Sequence, residues 1–174
     1  GPFDGDIDPD AGHSLGGEAA DDFAGAALAG PGDVDGDGVS DVLVGAWGHD
    51  TVGTFGGRAY VLLGPVDDDT DLSDADAIVD GADTWDVLGF AVGGTGDTDG
   101  DGHADIVVGA YGHDAGGLSS GAAWVFTAPL AATSLDDATA SLRGDAVDTA
   151  AGWSVGAAGD TDGDGMADVL VGAP

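Results

Sequence analysis

An all-β fold of tandem four-stranded antiparallel units is predicted by three features of this 174-residue sequence. An aspartate-rich nonapeptide occurs three times, with about 63 residues from one copy to the next. The residues on both sides of it recur in the same register, and each period contains four short runs with the composition of strands. No stretch shows helical periodicity bounded by caps at both ends. The chain is therefore expected to be a repeat protein.

The four strand candidates of each period differ in character. A Gly- and Ala-rich run precedes the nonapeptide, as in a strand crowded by neighbouring backbone, at 25–28, 89–92 and 152–155. A consecutively apolar run follows it, as in a strand buried on both faces, at 42–47, 106–111 and 169–174. A third run lies at 58–63 and 122–126, and a weaker fourth at 14–15, 77–79 and 140–142. Four strands per period are typical of one β-propeller blade.

The repeat register divides the chain into about two and three-quarter units. We predict repeat 1 with its preceding linker at 1–78, repeat 2 at 79–141 and a partial repeat 3 at 142–174. This is fewer than the four to eight blades of a closed propeller. Ring closure would need further repeats or a second copy of the chain at the sheet edges; otherwise the repeat adopts a different closed form.

Charge excludes several partners. Arg58 and Arg143 stand against 34 acidic residues, and the formal net charge is −32, so binding to nucleic acid or anionic lipid is not expected. No apolar run reaches the length of a membrane span, and no cysteine is present for disulfide or thiolate chemistry. All the acidic residues except Glu18 are Asp. Short carboxylates on tight turns suggest ligands and turn formers.

The nonapeptide has Asp at positions one, three, five and nine and Gly at four and six. Asp residues at alternate positions of a tightly turning backbone direct their carboxylates to one point, and the glycines permit the turn. Position seven offers only its backbone carbonyl in Val39, His103 and Met166. Two carboxylates about 5 Å apart repel by roughly 3 kcal/mol at an effective dielectric constant near 20. An all-oxygen set of this kind suits Ca²⁺.

An EF-hand is excluded, because position twelve is Val44, Val108 or Val171 instead of Glu.

The loop followed by Val-Leu-Val-Gly-Ala-Pro resembles the FG-GAP repeat of integrin α-subunit β-propellers and bacterial surface proteins. The Phe-Gly pair itself is replaced by Ala26-Ala27, Phe90-Ala91 and Trp153-Ser154, and only the last copy keeps Pro after Gly-Ala. The resemblance implies a four-stranded blade with Ca²⁺ in the hairpin between its first two strands. The implied carboxylate ligands of the three sites are Asp33, Asp35, Asp37, Asp41, Asp97, Asp99, Asp101, Asp105, Asp160, Asp162, Asp164 and Asp168.

Other motifs have simpler interpretations. Arg143-Gly144-Asp145 spells an integrin-recognition tripeptide, but its Gly recurs in the other repeats, which favours coincidence. His49-Asp50 and His113-Asp114 are interpreted as solvated turn residues and the acidic runs at 4–10 and 67–76 as solvated segments. Trp124 and Trp153 are expected in the core, and Trp85 on the surface.

The sequence thus predicts a non-enzymatic, Ca²⁺-stabilised β-repeat module with three calcium sites. Its expected role is adhesion or scaffolding in an extracellular or cell-surface protein, where millimolar calcium fills even weak sites. The alternative is a carbohydrate-binding module, or a non-catalytic part of a polysaccharide-acting enzyme, with exposed aromatic side chains on one face. Its protein or glycan ligand is not specified by the sequence.

Overall fold

The computed structural model describes residues 12–66, 68–130 and 134–174. These residues form short β-strands and two 3₁₀ turns, Leu72–Asp74 and Leu135–Asp137. The strands are β1 (Leu15–Gly16), β2 (Ala27–Ala29), β3 (Val42–Ala46), β4 (Arg58–Leu62), β5 (Thr70–Asp71), β6 (Ala77–Asp80), β7 (Ala91–Gly96), β8 (Asp105–Ala110), β9 (Ala122–Phe126), β10 (Ala140–Arg143), β11 (Ser154–Gly159) and β12 (Asp168–Gly172). The acidic run at 4–10 lies outside the described residues.

The strands form consecutive antiparallel sheets, which we call blades. The first blade has the strand order β2-β3-β4-β6 and the second has the order β7-β8-β9-β10. The third blade contains the antiparallel pair β11-β12. The predicted all-β architecture of four-stranded antiparallel blades is therefore confirmed.

Two details differ from the sequence interpretation. The run at 14–15, predicted as a fourth strand of a blade, forms β1, which pairs in parallel with β5 outside the first blade. The segment 67–76 was expected to be a solvated segment, yet it contains β5 and a 3₁₀ turn in which Leu72 is buried. The apolar Leu72 side chain anchors this acidic segment to the first blade, since it packs in the same cluster as Tyr60 and Leu62.

The blades stack face to face, and apolar clusters fill the space between them. One cluster joins Leu43 and Val61 of the first blade to Ile106 and Val108 of the second. A further cluster joins Val107 of the second blade to Val169 and Val171 of the third. Neighbouring residues of β8 therefore contribute to opposite faces. This explains why the second strand of each blade is apolar at consecutive positions.

The predicted repeat boundaries fall just inside the last strands of the blades. The boundary at 78/79 lies in β6 and the boundary at 141/142 lies in β10, so each blade runs two residues further. The three aspartate loops connect β2 to β3, β7 to β8 and β11 to β12. Every loop therefore occupies the hairpin between the first two strands of its blade.

β12 has β11 as its only partner strand in the described part of the chain. Leu170 in this strand is largely exposed. That further repeats or a second copy of the chain complete this edge stays a prediction. Within the described residues, no helix has the length and apolarity needed to cross a membrane.

Candidate metal centre

Three carboxylates converge in each aspartate loop. Within a loop, one oxygen from each of positions one, three and five lies within 4.8 Å of the other two. The sets are Asp33, Asp35 and Asp37; Asp97, Asp99 and Asp101; and Asp160, Asp162 and Asp164. Their spacing and all-oxygen chemistry fit a hard divalent cation such as Ca²⁺. The structure thus brings together nine of the twelve carboxylates expected as ligands.

The loop backbone supports this convergence in the way that the glycine positions predict. The glycines at positions four and six have positive φ angles, for example +84° at Gly36 and +91° at Gly38. In this conformation both N–H groups donate to the first aspartate: Gly36 N lies 2.7 Å from Asp33 Oδ1, and Gly38 N lies 2.8 Å from Asp33 Oδ2. The other two loops repeat both bonds. A side chain at either glycine would disfavour this conformation.

The same backbone donors favour the charged form of the first carboxylate. Desolvation alone would raise the pKa of Asp97, but the N–H groups of Gly102, Gly100 and Asp101 outweigh it and hold the pKa below its ordinary value. Donors that stabilise a carboxylate keep it ionised. The carboxylate is then in the form that a metal ion binds.

The aspartate at position nine occupies a different place. It is absent from the three-carboxylate groups, and it instead fixes the loop to the blade. Asp105 is fully buried. Its Oδ2 accepts a hydrogen bond from the N–H of Thr98 in the same loop at 2.7 Å, and its Oδ1 accepts one from the N–H of Ala128, after β9, at 2.9 Å. Asp41 makes the corresponding bonds to the N–H groups of Val34 and Gly64. The hydrogen bonds from Thr161 to Asp168 lower the pKa of that carboxyl group.

Position seven was expected to offer a backbone carbonyl. The N–H groups of Val39, His103 and Met166 donate to the carboxylate at position five at 2.7–2.8 Å. These bonds hold the backbone of position seven beside the carboxylate of position five. The role of its carbonyl as a metal ligand stays a prediction.

The sequence does not predict a polar cluster that forms around Glu18. Glu18 Oε1 accepts hydrogen bonds from Arg58 Nη1 and from the Tyr60 hydroxyl, both at 2.7 Å. Arg58 also makes a bidentate pair with Asp80, at 2.6 and 3.0 Å. Burial alone would raise the pKa of Glu18, but the bonds from Tyr60 and Arg58 bring it below its ordinary value. These bonds tie the connector before β2 to the first blade. The rarity of Glu and Arg in the sequence was the available signal.

The interpretation of His49 and His113 as solvated turn residues is wrong. Their side chains are only 12% and 16% exposed. His113 Nδ1 lies 3.1 Å from Asp86 Oδ1, and its ring packs against Trp124. His49 Nε2 lies 3.6 Å from Glu18 Oε1. The two histidines have equivalent places, because His49 Nε2 also lies 3.9 Å from Oδ2 of the buried Asp22, as His113 lies beside the buried Asp86. These contacts come from a connector distant in sequence, so the residues of the turn alone do not predict them.

A continuous group of aromatic rings lies where the second strands end and the blade connectors pass. We call it the aromatic surface. Phe23 stacks on Trp47 with ring centroids 4.3 Å apart, and Phe55 meets Trp85 at 4.9 Å. Trp85 is 58% exposed, as predicted, and Trp124 is buried, as predicted. Trp153 is 45% exposed, so its expected place in the core is wrong. The surface comprises Phe23, Trp47, Phe55, Trp85, Phe90, Tyr111 and Trp153.

The Arg143-Gly144-Asp145 tripeptide follows the repeat framework. The Gly144 N–H donates to the Gly121 carbonyl at 2.9 Å, as the Gly81 N–H does to Gly57 at 3.0 Å. A Cβ on Gly144 would lie 2.0 Å from the Ser120 carbonyl oxygen. Close packing therefore requires glycine at this position independently of the neighbouring Arg143 and Asp145.

Comparison with protein families matches the model described as FG-GAP repeat at residues 89–126 and 151–174. These two matches cover the loops of the second and third blades together with β7, β8, β9, β11 and β12, and the first blade carries the same loop between its first two strands. These two segments are therefore FG-GAP repeats, and the described residues form an all-β repeat module. No curated protein matches the chain significantly.

Proposed function

We propose that the chain is a calcium-binding, calcium-stabilised β-repeat module that serves adhesion or scaffolding in an extracellular or cell-surface protein. The observation that carries this proposal is the convergence of three carboxylates within 4.8 Å in each of three loops. FG-GAP repeats support an adhesive or scaffolding role rather than an enzymatic one. Millimolar extracellular calcium would fill sites of modest affinity and offset the mutual repulsion of their carboxylates.

Thermal melting with calcium and with chelator tests the proposal. At a hundredfold excess over Kd, each site adds about 2.7 kcal/mol to folding, which raises Tm by about 5–10 °C in a chain of this size. We expect Asp101→Ala to remove part of this rise, since Asp101 belongs to the second carboxylate group. Asp74→Ala, at an exposed aspartate of a 3₁₀ turn, is the control and should retain the whole rise. Equal midpoints with calcium and chelator would contradict the proposal.

A second candidate function, carbohydrate binding, is favoured by the aromatic surface. A cleft of about 390 Å³ is lined by Trp85, Tyr111 and Leu118 together with Asp114 and Ser119. Exposed aromatic faces offer flat apolar area to the C–H face of a sugar ring, while carboxylate and hydroxyl groups offer partners for its hydroxyls.

Tryptophan fluorescence titration with neutral oligosaccharides tests this second candidate. Trp85→Ala should weaken binding at least tenfold, because it removes the most exposed ring of the aromatic surface. Leu142→Ala, an exposed apolar residue on β10, is the control and should bind normally. Failure of every oligosaccharide to bind, or equal binding by both variants, would exclude the cleft as a sugar site.

A further inference from the structure

The three aspartate loops are hydrogen-bonded to one another in sequence. The N–H of Ala104, at position eight of the second loop, donates at 2.9 Å to the carbonyl of Asp33, the first aspartate of the first loop. The N–H of Ala167 in the third loop donates at 2.7 Å to the carbonyl of Asp97 in the second. Each bond therefore anchors the backbone of the first carboxylate of one loop on the loop that follows.

Side chains at position seven reinforce these links. A Cβ built on Gly36 would lie 2.2 Å from Cε1 of His103, so the imidazole lies directly against the glycine turn of the first loop. A Cβ on Gly100 would lie 3.8 Å from Cγ of Met166 in the third loop. His103 and Met166 thus cover the glycine turn that directs the carboxylates of the preceding loop.

Burial follows the same order. Asp33 and Asp97, each with a following loop against it, are partly buried, whereas Asp160 is exposed. A Cβ on Gly163, the corresponding glycine of the third loop, would meet no atom within 4 Å among the described residues. The first two loops are consequently held by contacts from outside their own nine residues.

We propose that neighbouring loops bind calcium as coupled sites, each loop being positioned by the next one along the chain; this inference rests on the proposed calcium function. Ala104 lies between position seven and the buried Asp105, so ordering the second loop fixes both the Ala104 N–H and the His103 ring against the first loop. A first loop held in this way loses less conformational freedom when its own carboxylates close on an ion. Coupling of this kind is reciprocal, so an ion in either loop favours the other.

The sharpest test leaves one complete site in the full chain. Asp99→Ala, Asp101→Ala, Asp162→Ala and Asp164→Ala together remove two of the three converging carboxylates from the second and third loops. Calorimetric titration with calcium chloride then reports the first loop. Adding His103→Ala should weaken this binding about fivefold, at the lower end of the usual range for coupled sites, although His103 belongs to another loop. His13→Ala, at an exposed histidine outside the loops, is the matched control and should change nothing.

A second measurement covers the case in which the multiple variant does not fold. We expect the unaltered chain to bind calcium cooperatively. A double variant that disables the middle loop, Asp99→Ala with Asp101→Ala, should abolish this cooperativity. A double variant that disables the third loop, Asp162→Ala with Asp164→Ala, should leave the first two loops coupled. Calcium binding that is non-cooperative in the unaltered chain, or insensitive to His103→Ala, would overturn the coupling and leave the calcium function intact. Absence of calcium binding to the unaltered chain would overturn both.

Discussion

The four aspartates of each loop divide into two roles at the residue scale. Asp97, Asp99 and Asp101 converge and are exposed or partly exposed. Asp105 is fully buried and accepts backbone hydrogen bonds both from its own loop and from the residues that follow β9. A buried carboxylate with these partners contributes to the blade whether or not an ion is bound. The nonapeptide motif contains all four aspartates, but only their surroundings distinguish the two roles.

Substitutions in the calcium-free protein separate these roles. With chelator present, Asp105→Ala should cost about 2–4 kcal/mol of unfolding free energy, because the Thr98 and Ala128 N–H groups lose their acceptor. Asp105→Asn keeps one acceptor oxygen and should cost about half as much. Asp101→Ala should be neutral or stabilising under the same conditions, since it removes one of three mutually repelling charges. Urea unfolding measures all three; an equal loss in Asp101→Ala would show that the proposed division is wrong.

Close backbone approach between consecutive blades is the main constraint at the element scale. A Cβ on Gly45 in β3 would lie 2.0 Å from the Gly89 carbonyl oxygen, and a Cβ on Gly109 in β8 would lie 2.2 Å from that of Gly152. The connector entering the next blade therefore passes directly over the glycine of the Val-Gly-Ala segment. The recurrence of this glycine in the sequence has a steric cause that the apolar pattern of the strand does not reveal.

Alanine substitutions at two strand glycines test this constraint. Gly109→Ala should lose about 2–3 kcal/mol of unfolding free energy, because the new methyl group meets backbone that cannot rotate away. Gly156→Ala in β11 is the matched control. A Cβ there meets no atom of the described residues within 4 Å, and the lower entropy of the unfolded chain makes the substitution neutral or stabilising by up to about 1 kcal/mol. Denaturant midpoints compare the two variants. Similar midpoints would mean that the connector shifts freely and that the close approach does not constrain the fold.

Charge and repetition act together at the scale of the whole molecule. The net charge of −32 opposes compaction, while the apolar clusters between blades favour it. The loops concentrate nine carboxylates in three small groups, so cations bound there would relieve the repulsion where it is strongest. If calcium binds as proposed, the expected rise in melting temperature would extend beyond the blade that holds the ion, because each blade is stabilised partly through its neighbour.

The sequence by itself determined the repeat period, the strand segments that form the blades and the positions of the three loops. These features depend on local chemistry: consecutive apolar residues form strands buried on both faces, and alternating Asp with Gly at positions four and six bends the backbone around converging carboxylates. Only the tertiary structure decided the structural role of Asp105, the burial of His49 and His113, the exposure of Trp153 and the contact of His103 with the first loop. Each of these depends on residues from another strand, connector or blade, and the local sequence pattern carries no information about which of them lie nearby.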